Sequence, residues 1–326
     1  MPPMLAGMAI LSFLATFALL RLLLSRFGRL VLDRPNERSL HERPVPRTGG
    51  LAVLAGAAVA LGFGATALWL PALIGLVLAA VSFVDDLHGM PTALRLALHL
   101  AAAGLLSWYV LSPMDALVLV LIVVAVAWIT NLYNFMDGSD GLAGGMTLIG
   151  FGAYAVAAYL SGHAALTALC TGLAAAAAGF LVYNFHPARI FLGDVGSIPL
   201  GFLSGALGVI GWRDDVWPLW FPLLVFGPFI GDATLTLARR LIRGERVWRA
   251  HREHYYQRMV RMGLGHRNTA WVAYAAMIVC AAAALLGRAQ APALQAAAFA
   301  TGVVLLGGLA VWVDVRWGRF VRATPA

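Results

Sequence analysis

The chain has 326 residues, of which 61% are hydrophobic and only 12% are charged. A soluble domain carries about 25% charged residues, so this composition excludes an ordinary soluble protein and indicates a polytopic membrane protein. All 23 basic residues are arginine and the net charge is +8. Positive-inside loops explain this charge without a nucleic-acid partner. Cys170 and Cys280 lie inside apolar runs and predict neither a disulfide nor a metal framework.

The apolar residues fall in runs of roughly 17–25, the length of helix that crosses a bilayer. Since a lipid-exposed backbone must satisfy its own hydrogen bonds, these runs predict helices. We therefore predict one all-α, polytopic helical bundle over residues 1–326, with about 11 transmembrane helices. The first run is interpreted as a retained span rather than a signal peptide. The predicted spans lie near residues 4–24, 51–68, 71–84, 92–110, 115–133, 142–160, 163–183, 197–212, 217–242, 269–287 and 292–313.

Arginine is distributed unequally between the connections. The odd-numbered connections and the C-terminal tail are rich in arginine, whereas the even-numbered ones hold only Arg213 and Arg288. This asymmetry predicts that the odd loops and the C-terminus are cytoplasmic and that the N-terminus is outside. Nearly all acidic, amide and histidine clusters lie on the odd connections, which predicts a site at the cytoplasmic interface. These loops lie near residues 25–50, 84–91, 131–141, 184–197 and 239–268.

The first cluster, in "SFVDDLHG", places Asp85 and Asp86 at the end of the third span. Two adjacent carboxylates repel each other unless a cation lies between them. Aspartate at a helix C-terminus also opposes the helix dipole. We therefore interpret the pair as functional rather than as a solvated helix end.

A polar repeat of period three, in "NLYNFMDGSDG", follows the fifth span. It consists of Asn131, Asn134, Asp137 and Asp140. A continued helix would align these residues on one face, but Gly138 and Gly141 disfavour continued helix and allow close approach of a ligand. The spacing of oxygen ligands does not match an EF-hand. The pattern favours a phosphate- or nucleotide-binding turn over a purely structural polar turn.

Two further candidate aspartates lie apart from these clusters in the sequence. Asp194, in "FLGDVGS", precedes the eighth span. It fits a helix N-cap and equally a Mg²⁺ ligand, since magnesium takes one or two protein carboxylates plus substrate phosphates. Asp232 lies inside the ninth apolar run, where an acid is a functional candidate. Upstream of it, Gly227 and Pro228 predict a kink.

The last large loop, in "RRLIRGERVWRAHREHYYQRM", combines arginines with two histidines one helical turn apart. Its candidate residues are Arg249, His251, Arg252 and His254. Arginines beside a span often contact anionic lipid. Arginine and histidine together also suit a diphosphate, which arginine binds with two parallel hydrogen bonds. Two histidines without His-Glu-x-x-His do not define a zinc site, so we predict anion binding.

Together, these motifs resemble the polyprenyl-phosphate N-acetylhexosamine-1-phosphate transferases, which initiate bacterial cell-surface polymers on a lipid carrier. The resemblance covers roughly residues 30–270. It rests on "DRPNERSLHERPVPRTGG", "FVDD", "NLYNFMDGSDGLAGG", "FLGDVGS" and the histidine loop, in the family's order. The combination is highly specific, although each motif alone would be weak.

The resemblance implies that undecaprenyl phosphate attacks a UDP-N-acetyl-sugar and releases UMP, at the cytoplasmic face of the bacterial inner membrane. It implies Mg²⁺, with Mn²⁺ as a substitute, at Asp194 and Asp85. It also implies a catalytic role for Asp86, a nucleotide-diphosphate pocket at Asn131, Asn134, Asp137 and Asp140, and a phosphate-binding loop with Arg249, His251, Arg252 and His254. Since a phosphate monoester has a second pKa near 6, we expect Asp85 to hold metal or orient the nucleophile as much as to accept a proton.

One departure and two alternatives remain. Many family members carry His-x-His-His where this chain reads "AHREHYYQRM". This variant resembles the O-antigen branch and leaves the sugar and the polymer open. An intramembrane prenyltransferase would show Asn-Asp-x-x-Asp-x-x-x-Asp, a spacing that this chain lacks. An ion-coupled transporter would favour internal repeats, and no clear repeat is present. Beyond membrane lipids and the two substrates, the sequence leaves the oligomeric state open, a homodimer included.

Overall fold

The computed structural model describes residues 3–27, 32–33, 40–41, 44–247, 249 and 251–323. Strand in these ranges is limited to β1 (Leu32–Asp33), which pairs antiparallel with β2 (Val45–Pro46). All other regular structure in them is helical, which confirms the predicted all-α class. The α-helices are α1 Pro3–Leu22, α2 Gly49–Ala58, α3 Trp69–His88, α4 Thr92–Leu111, α5 Ala116–Phe135, α6 Leu142–Leu160, α7 Ala164–Asn184, α8 Asp194–Arg213, α9 Trp220–Val225, α10 Gly227–Ile242, α11 Tyr255–Met259, α12 Gly265–Gly287 and α13 Pro292–Ala323.

Nine helical segments within the described ranges are long and apolar enough to cross a membrane. This confirms a polytopic membrane protein, while the count of eleven and the orientation stay predictions. The second predicted span is α2 continued by a 3₁₀ helix, Val59–Phe63. The ninth is divided at Phe226 into α9 and α10. Pro228 stands in the first turn of α10, where its missing N–H is tolerated.

The helices differ strongly in how far they are buried. In α8, 16 of 20 residues are buried, and it packs against α3 and α5. In α13, only Gly302 and Val313 of 32 residues are buried. Helix α8 is therefore the centre of the bundle, and α13 lies at its periphery.

The polar connections are sorted between the two ends of the bundle. At one end His163 pairs with Asp214 at 3.0 Å, and the Arg288 guanidinium donates to the Ser161 hydroxyl at 3.0 Å. The odd-numbered connections meet at the other end. Helix α13 runs from the first end to the second, where its Asp314 approaches α10 and α11. The predicted clusters thus share one end of the bundle.

Candidate functional site

The carboxylate cluster comprises Asp85, Asp86, Asp137 and Asp194. The first two lie in the last turn of α3, Asp137 follows α5, and Asp194 is the first residue of α8. Asp86 is only 5% exposed. The cluster exists because α3 and α5 both pack on α8, which brings two helix C-termini to one helix N-terminus. The Asp194 carboxylate lies close enough to act electrostatically on both Asp86 and Asp137.

Two arginines provide the neighbouring positive charge. Arg95 on α4 places Nη1 3.3 Å from Asp85 Oδ2 and 3.9 Å from Asp194 Oδ2. Arg47 places Nη1 3.2 Å from Asp86 Oδ1, and its Nη2 donates to the Asp86 carbonyl at 3.0 Å. Both side chains are about one-third exposed, at 38% for Arg95 and 30% for Arg47. Within the part of the chain that the structure describes, Arg47 and Arg95 are the arginines that pair with this cluster.

The segment before α2 is held against the start of α8 by backbone hydrogen bonds. The Phe191 amide donates to the Pro46 carbonyl at 2.7 Å, and the Gly49 amide donates to the Phe191 carbonyl at 2.9 Å. At Gly193, which has φ of +71°, a Cβ would lie 2.1 Å from the Arg47 carbonyl oxygen. Glycine is thus required here by both the backbone conformation and the close approach. This contact fixes the backbone of Arg47 beside Asp194.

Polar groups on α5 and α8 complete the cluster. The Ser197 hydroxyl donates to Asn134 Oδ1 at 2.8 Å, and the Asp137 carboxylate accepts from the Gly193 amide. Burial, followed by the nearby Asp194 carboxylate, raises the pKa of Asp137 well above its usual range. A site that resists negative charge in this way is suited to a cation.

The predicted period-three repeat does not converge on one place. Helix α5 ends at Phe135, so Asp137 and Asp140 lie beyond it. Asn131 lies one turn earlier in α5, where its amide donates to the Ala127 carbonyl at 2.7 Å and its Oδ1 lies 3.2 Å from His99 Nδ1. Of the four, only Asn134 and Asp137 contribute to the carboxylate cluster.

Asp140 instead accepts from His186 Nδ1 at 2.7 Å and from the Ala188 amide at 3.1 Å. His266, at the start of α12, lies 3.7 Å from the same carboxylate, and its ring stacks on that of His186. Asp140 therefore joins the loop after α7 to α12, next to the carboxylate cluster rather than within it.

The histidine loop (described residues 244–247, 249 and 251–254) is held by ion pairs. Glu253 pairs with Arg240 at 2.5 Å and with Arg243, both near the end of α10. The Arg252 carbonyl accepts from Arg261 at 3.1 Å. Arg249 is exposed, and its amide donates to the Arg246 carbonyl at 3.0 Å. The main chains of Arg249 and Arg252 are thus each held by a hydrogen bond.

The two histidines of the loop lie side by side, with ring centroids 4.8 Å apart. The His251 Nδ1 accepts from the Glu253 amide at 3.3 Å. Burial, followed by the neighbouring His254 and Arg240, lowers the pKa of His251 to about 4. His251 is therefore neutral at pH 7 and carries its hydrogen on Nε2. His254 is only 4% exposed, and its Nδ1 lies 3.2 Å from Asp232 Oδ1.

The end of α5 connects the histidine loop to the carboxylate cluster. The Tyr256 hydroxyl donates to the Phe135 carbonyl at 3.1 Å. The Phe135 ring lies 6.3 Å from the His254 ring, and Phe135 follows Asn134 of the cluster directly. The histidines and carboxylates thus border a common region.

An apolar cavity of about 390 Å³ lies beside this region, between α10, α12 and α13. Its lining includes Phe229, Met277, Val303 and Leu306, with Asp232 among the few polar residues. Its volume is in the range of small-ligand sites, and its lining suits a hydrocarbon chain.

Mg²⁺ takes oxygen ligands and usually only one or two protein carboxylates. Within the described ranges, no three carboxylate, histidine or cysteine side chains lie close enough to enclose a metal ion. Asp85 and Asp194 do converge on one cationic atom, Arg95 Nη1. Two carboxylates with all-oxygen donors fit magnesium, which completes its shell with water and substrate phosphates.

Sequence analysis missed three residues of this site. Arg95 is a lone charge in the fourth apolar run, and intramembrane charges are functional candidates, so a signal was present. Arg47 lies in a motif used for the resemblance but received no role. Ser197 lies in "FLGDVGS" and showed no separate signal.

Fold and site define a class: a polytopic α-helical membrane protein with an acidic, arginine-flanked site where several helix ends meet. A family model described as glycosyl transferase family 4 matches residues 68–212. The chain is 31% identical to the probable undecaprenyl-phosphate N-acetylglucosaminyl 1-phosphate transferase of Bacillus subtilis (strain 168), over 74% of this chain and 73% of that protein.

Two mycobacterial relatives, each called decaprenyl-phosphate N-acetylglucosaminephosphotransferase, agree. Identity is 30% to the protein of Mycobacterium tuberculosis (strain CDC 1551 / Oshkosh) and 31% to that of Mycolicibacterium smegmatis. Each match covers 82% of this chain and 77% of the relative. The chain belongs to the polyprenyl-phosphate N-acetylhexosamine-1-phosphate transferase family.

Proposed function

We propose that this protein transfers an N-acetylhexosamine 1-phosphate from a UDP-sugar to undecaprenyl phosphate and releases UMP. The lipid-linked diphosphate sugar would initiate a cell-surface polysaccharide, an O-antigen or a cell-wall polymer. One observation carries the proposal: Asp85, Asp194 and Arg95 converge beside the end of α5. At that end Phe135 contacts His254 of the histidine loop. The names of the three relatives support the same reaction class.

In the proposed reaction, a phosphate oxygen of undecaprenyl phosphate bonds to the β-phosphorus of the donor. The bond from that phosphorus to the bridging oxygen breaks, and the oxygen leaves with UMP. Since the second pKa of a phosphate monoester is near 6, the acceptor is mostly dianionic at pH 7 and needs no strong base. The main barrier is the approach of two anions, so catalysis requires positive charge at the site.

We assign the Mg²⁺ ligands to Asp85 and Asp194, with Mn²⁺ as a substitute. The ion, when bound, would neutralise charge on the donor diphosphate. Arg95 already lies between these two carboxylates. Its partly exposed guanidinium group can bind a phosphate instead of the carboxylates. Asp86 is held by Arg47, which suits a role in shaping the cluster.

The histidine loop would bind the phosphates from the other side. His251 is neutral with its hydrogen on Nε2, because Nδ1 accepts from the Glu253 amide, so it can donate one hydrogen bond to a phosphate oxygen. Arg249 and Arg252 supply guanidinium groups, which bind phosphate through paired hydrogen bonds. Asn134 and Asp137 would face the donor, and Asp140 and Asn131 support the elements that hold it.

We place the first isoprene units of the acceptor's polyprenyl chain, those next to its phosphate, in the apolar cavity. The lining changes from Met277 and Leu306 to Asp232 and Tyr255, so a lipid could bury its chain there and extend its phosphate toward His254. Each buried methylene contributes about 0.8 kcal/mol to lipid binding. The arginine-rich connections support a location in the bacterial inner membrane with this site on the cytoplasmic face.

The test is an assay of membranes that contain the protein, with a panel of UDP-N-acetyl-hexosamines. We expect UMP release only when undecaprenyl phosphate and Mg²⁺ are both present, with one sugar preferred. Chelation by EDTA should stop turnover, and added Mg²⁺ should restore it. The absence of a lipid-linked product from every sugar would overturn the proposed reaction. UMP release without the lipid would overturn the assigned acceptor.

A further inference from the structure

Asp232 lies outside the carboxylate cluster, yet both of its carboxylate oxygens have polar partners. Its Oδ1 accepts from the Tyr255 amide at 2.9 Å and lies 3.2 Å from His254 Nδ1, and its Oδ2 accepts from the Tyr256 amide at 2.9 Å. The side chains of Asp232 and His254 are 9% and 5% exposed. Asp232, a buried acid inside α10, thus contacts three consecutive residues at the start of α11.

The rotation of the His254 ring is already restricted by aromatic neighbours. Its centroid lies 5.9 Å from that of Tyr256, with planes 17° apart, and 6.3 Å from that of Phe135, with planes 28° apart. Stacking fixes the plane of an imidazole but does not select which nitrogen carries hydrogen. A carboxylate oxygen accepts hydrogen bonds, so the contact with Asp232 Oδ1 places a hydrogen on His254 Nδ1. The nitrogen that Asp232 does not engage is Nε2.

Anchoring of the histidine loop alone does not require this pair. Glu253 ties the loop to Arg240 of α10 and to Arg243, which follows that helix directly. Arg258 of α11, only 7% exposed, ties the helix to Asp314 of α13 at 3.1 Å. These contacts hold the segment on both sides and do not involve the His254 ring. Asp232 caps the start of α11 through the Tyr255 and Tyr256 amides, and its contact with the His254 imidazole is additional to this anchoring.

We propose that Asp232 is a positioning residue for the transfer reaction: through Nδ1 it orients His254 so that Nε2 faces the phosphate of the lipid acceptor. This inference rests on the proposed function. A carboxylate behind an imidazole selects its tautomer and orients its ring. With hydrogen fixed on Nδ1, Nε2 can bond to a phosphate oxygen through one shared proton, and the carboxylate of Asp232 balances the charge that this proton brings to the apolar cavity.

The kinetic test uses Asp232→Asn, which keeps the shape and one acceptor oxygen of the side chain. We expect kcat to fall roughly 10–100-fold, the range found for groups that orient a functional ligand, with KM for the UDP-sugar changed less than about threefold. Asp115→Asn is the matched control with native kcat, since Asp115 caps α5 at the other end of the bundle. Native kcat in Asp232→Asn would overturn the proposal.

A double-mutant cycle separates positioning from simple folding. If Asp232 acts through His254, Asp232→Asn should lower kcat by less than about twofold in a His254→Ala background. A further fall of 10–100-fold in that background would assign Asp232 to the helix cap instead and overturn the proposal.

The tautomer can be measured without turnover by ¹⁵N NMR of histidine-labelled protein in detergent. The His254 signal is identified by its loss in His254→Gln. We expect a protonated-type Nδ1 resonance in the native protein and an unprotonated-type one in Asp232→Asn. Asp314→Asn should keep the native signal, because Asp314 contacts Arg258 rather than the imidazole. An unprotonated Nδ1 in the native protein would overturn the pairing, even for a protein inactive on every UDP-sugar.

Discussion

The acids of the carboxylate cluster and those around the histidine loop are paired very differently. In the cluster, Asp85 and Asp194 share Arg95, which is 38% exposed, and Asp85 Oδ1 also accepts from the Met90 amide at 2.5 Å. Around the loop, Asp314 contacts two arginines, at 2.7 and 3.1 Å, and also a tyrosine hydroxyl at 3.4 Å. Asp232 likewise has both oxygens occupied by hydrogen-bond donors.

This difference separates two uses of buried charge. A buried charge is tolerated when partners replace its lost hydration, and the acids around the histidine loop meet that condition with the protein's own groups. Among the described residues, the four neighbouring acids of the carboxylate cluster lie beside two arginines, Arg47 and Arg95, so their mutual repulsion is only partly offset. An incoming cation and a phosphate would complete the cluster. We infer that under-paired acids mark the reactive part of the site and fully paired acids mark its support.

The strongest test of this contrast is Asp194→Asn. We expect kcat to fall at least about 100-fold, because one of two proposed metal ligands is lost, while the folded protein remains in the membrane. Mg²⁺ should raise the melting temperature of the native protein and leave that of Asp194→Asn unchanged. Asp115→Asn on α5 should match the native protein in both measurements. Near-native activity in Asp194→Asn would remove it as a metal ligand.

A second test targets the contact between the two regions. A Cβ on Gly138 would lie 2.2 Å from the Tyr256 hydroxyl, and Tyr256 is 2% exposed. Gly138→Ala should therefore destabilise the protein by about 1–3 kcal/mol, the usual effect of overpacking, and lower kcat as the histidine loop shifts. Both effects are measured by thermal unfolding and turnover in the same detergent.

Gly152→Ala is the matched control for this substitution. A Cβ there meets no atom within 4 Å, and the residue lies inside α6, where alanine is favoured over glycine by roughly 0.5–1 kcal/mol. Its melting temperature should equal or exceed that of the native protein. Equal behaviour of the two variants would show that Gly138 does not link the regions.

The smallest expected effect concerns pH. Burial, with His254 and Arg240 nearby, lowers the pKa of His251 to about 4, against an ordinary value near 6.5. Between these values the unfolded chain binds the proton and the folded protein does not, so stability should fall as pH drops from about 6.5 to about 4. In His251→Gln the melting temperature should decline less steeply over this window. An unchanged slope would contradict the lowered pKa.

Much of the fold followed from local pattern alone. Apolar runs predicted membrane helices because the bilayer requires internally hydrogen-bonded segments. Gly138 signalled that α5 would not continue, and the helix ends at Phe135. Gly227 and Pro228 predicted the interruption between α9 and α10. In each case the signal and its consequence lie within one or two helical turns, where backbone geometry acts directly.

The partners of the polar residues could not be predicted in this way. Asn131 and Asp140 belong to the same motif as Asp137, yet one contacts His99 and the other His186. Arg95 lies ten residues from Asp85 and 99 from Asp194, but one nitrogen approaches both. Such contacts depend on which helix faces pack together, and no spacing within a single helix encodes that.

The sequence by itself determined the membrane class, the helices and the motifs that carry the family resemblance, because each depends on composition or on neighbours within a helix. The tertiary structure decided which acids stay under-paired and which become supports, because pairing depends on helices distant in the chain. Asp232 appeared in the sequence only as an acid in an apolar run. Its contact with His254, 22 residues later, exists because the chain folds back and packs α11 against α10.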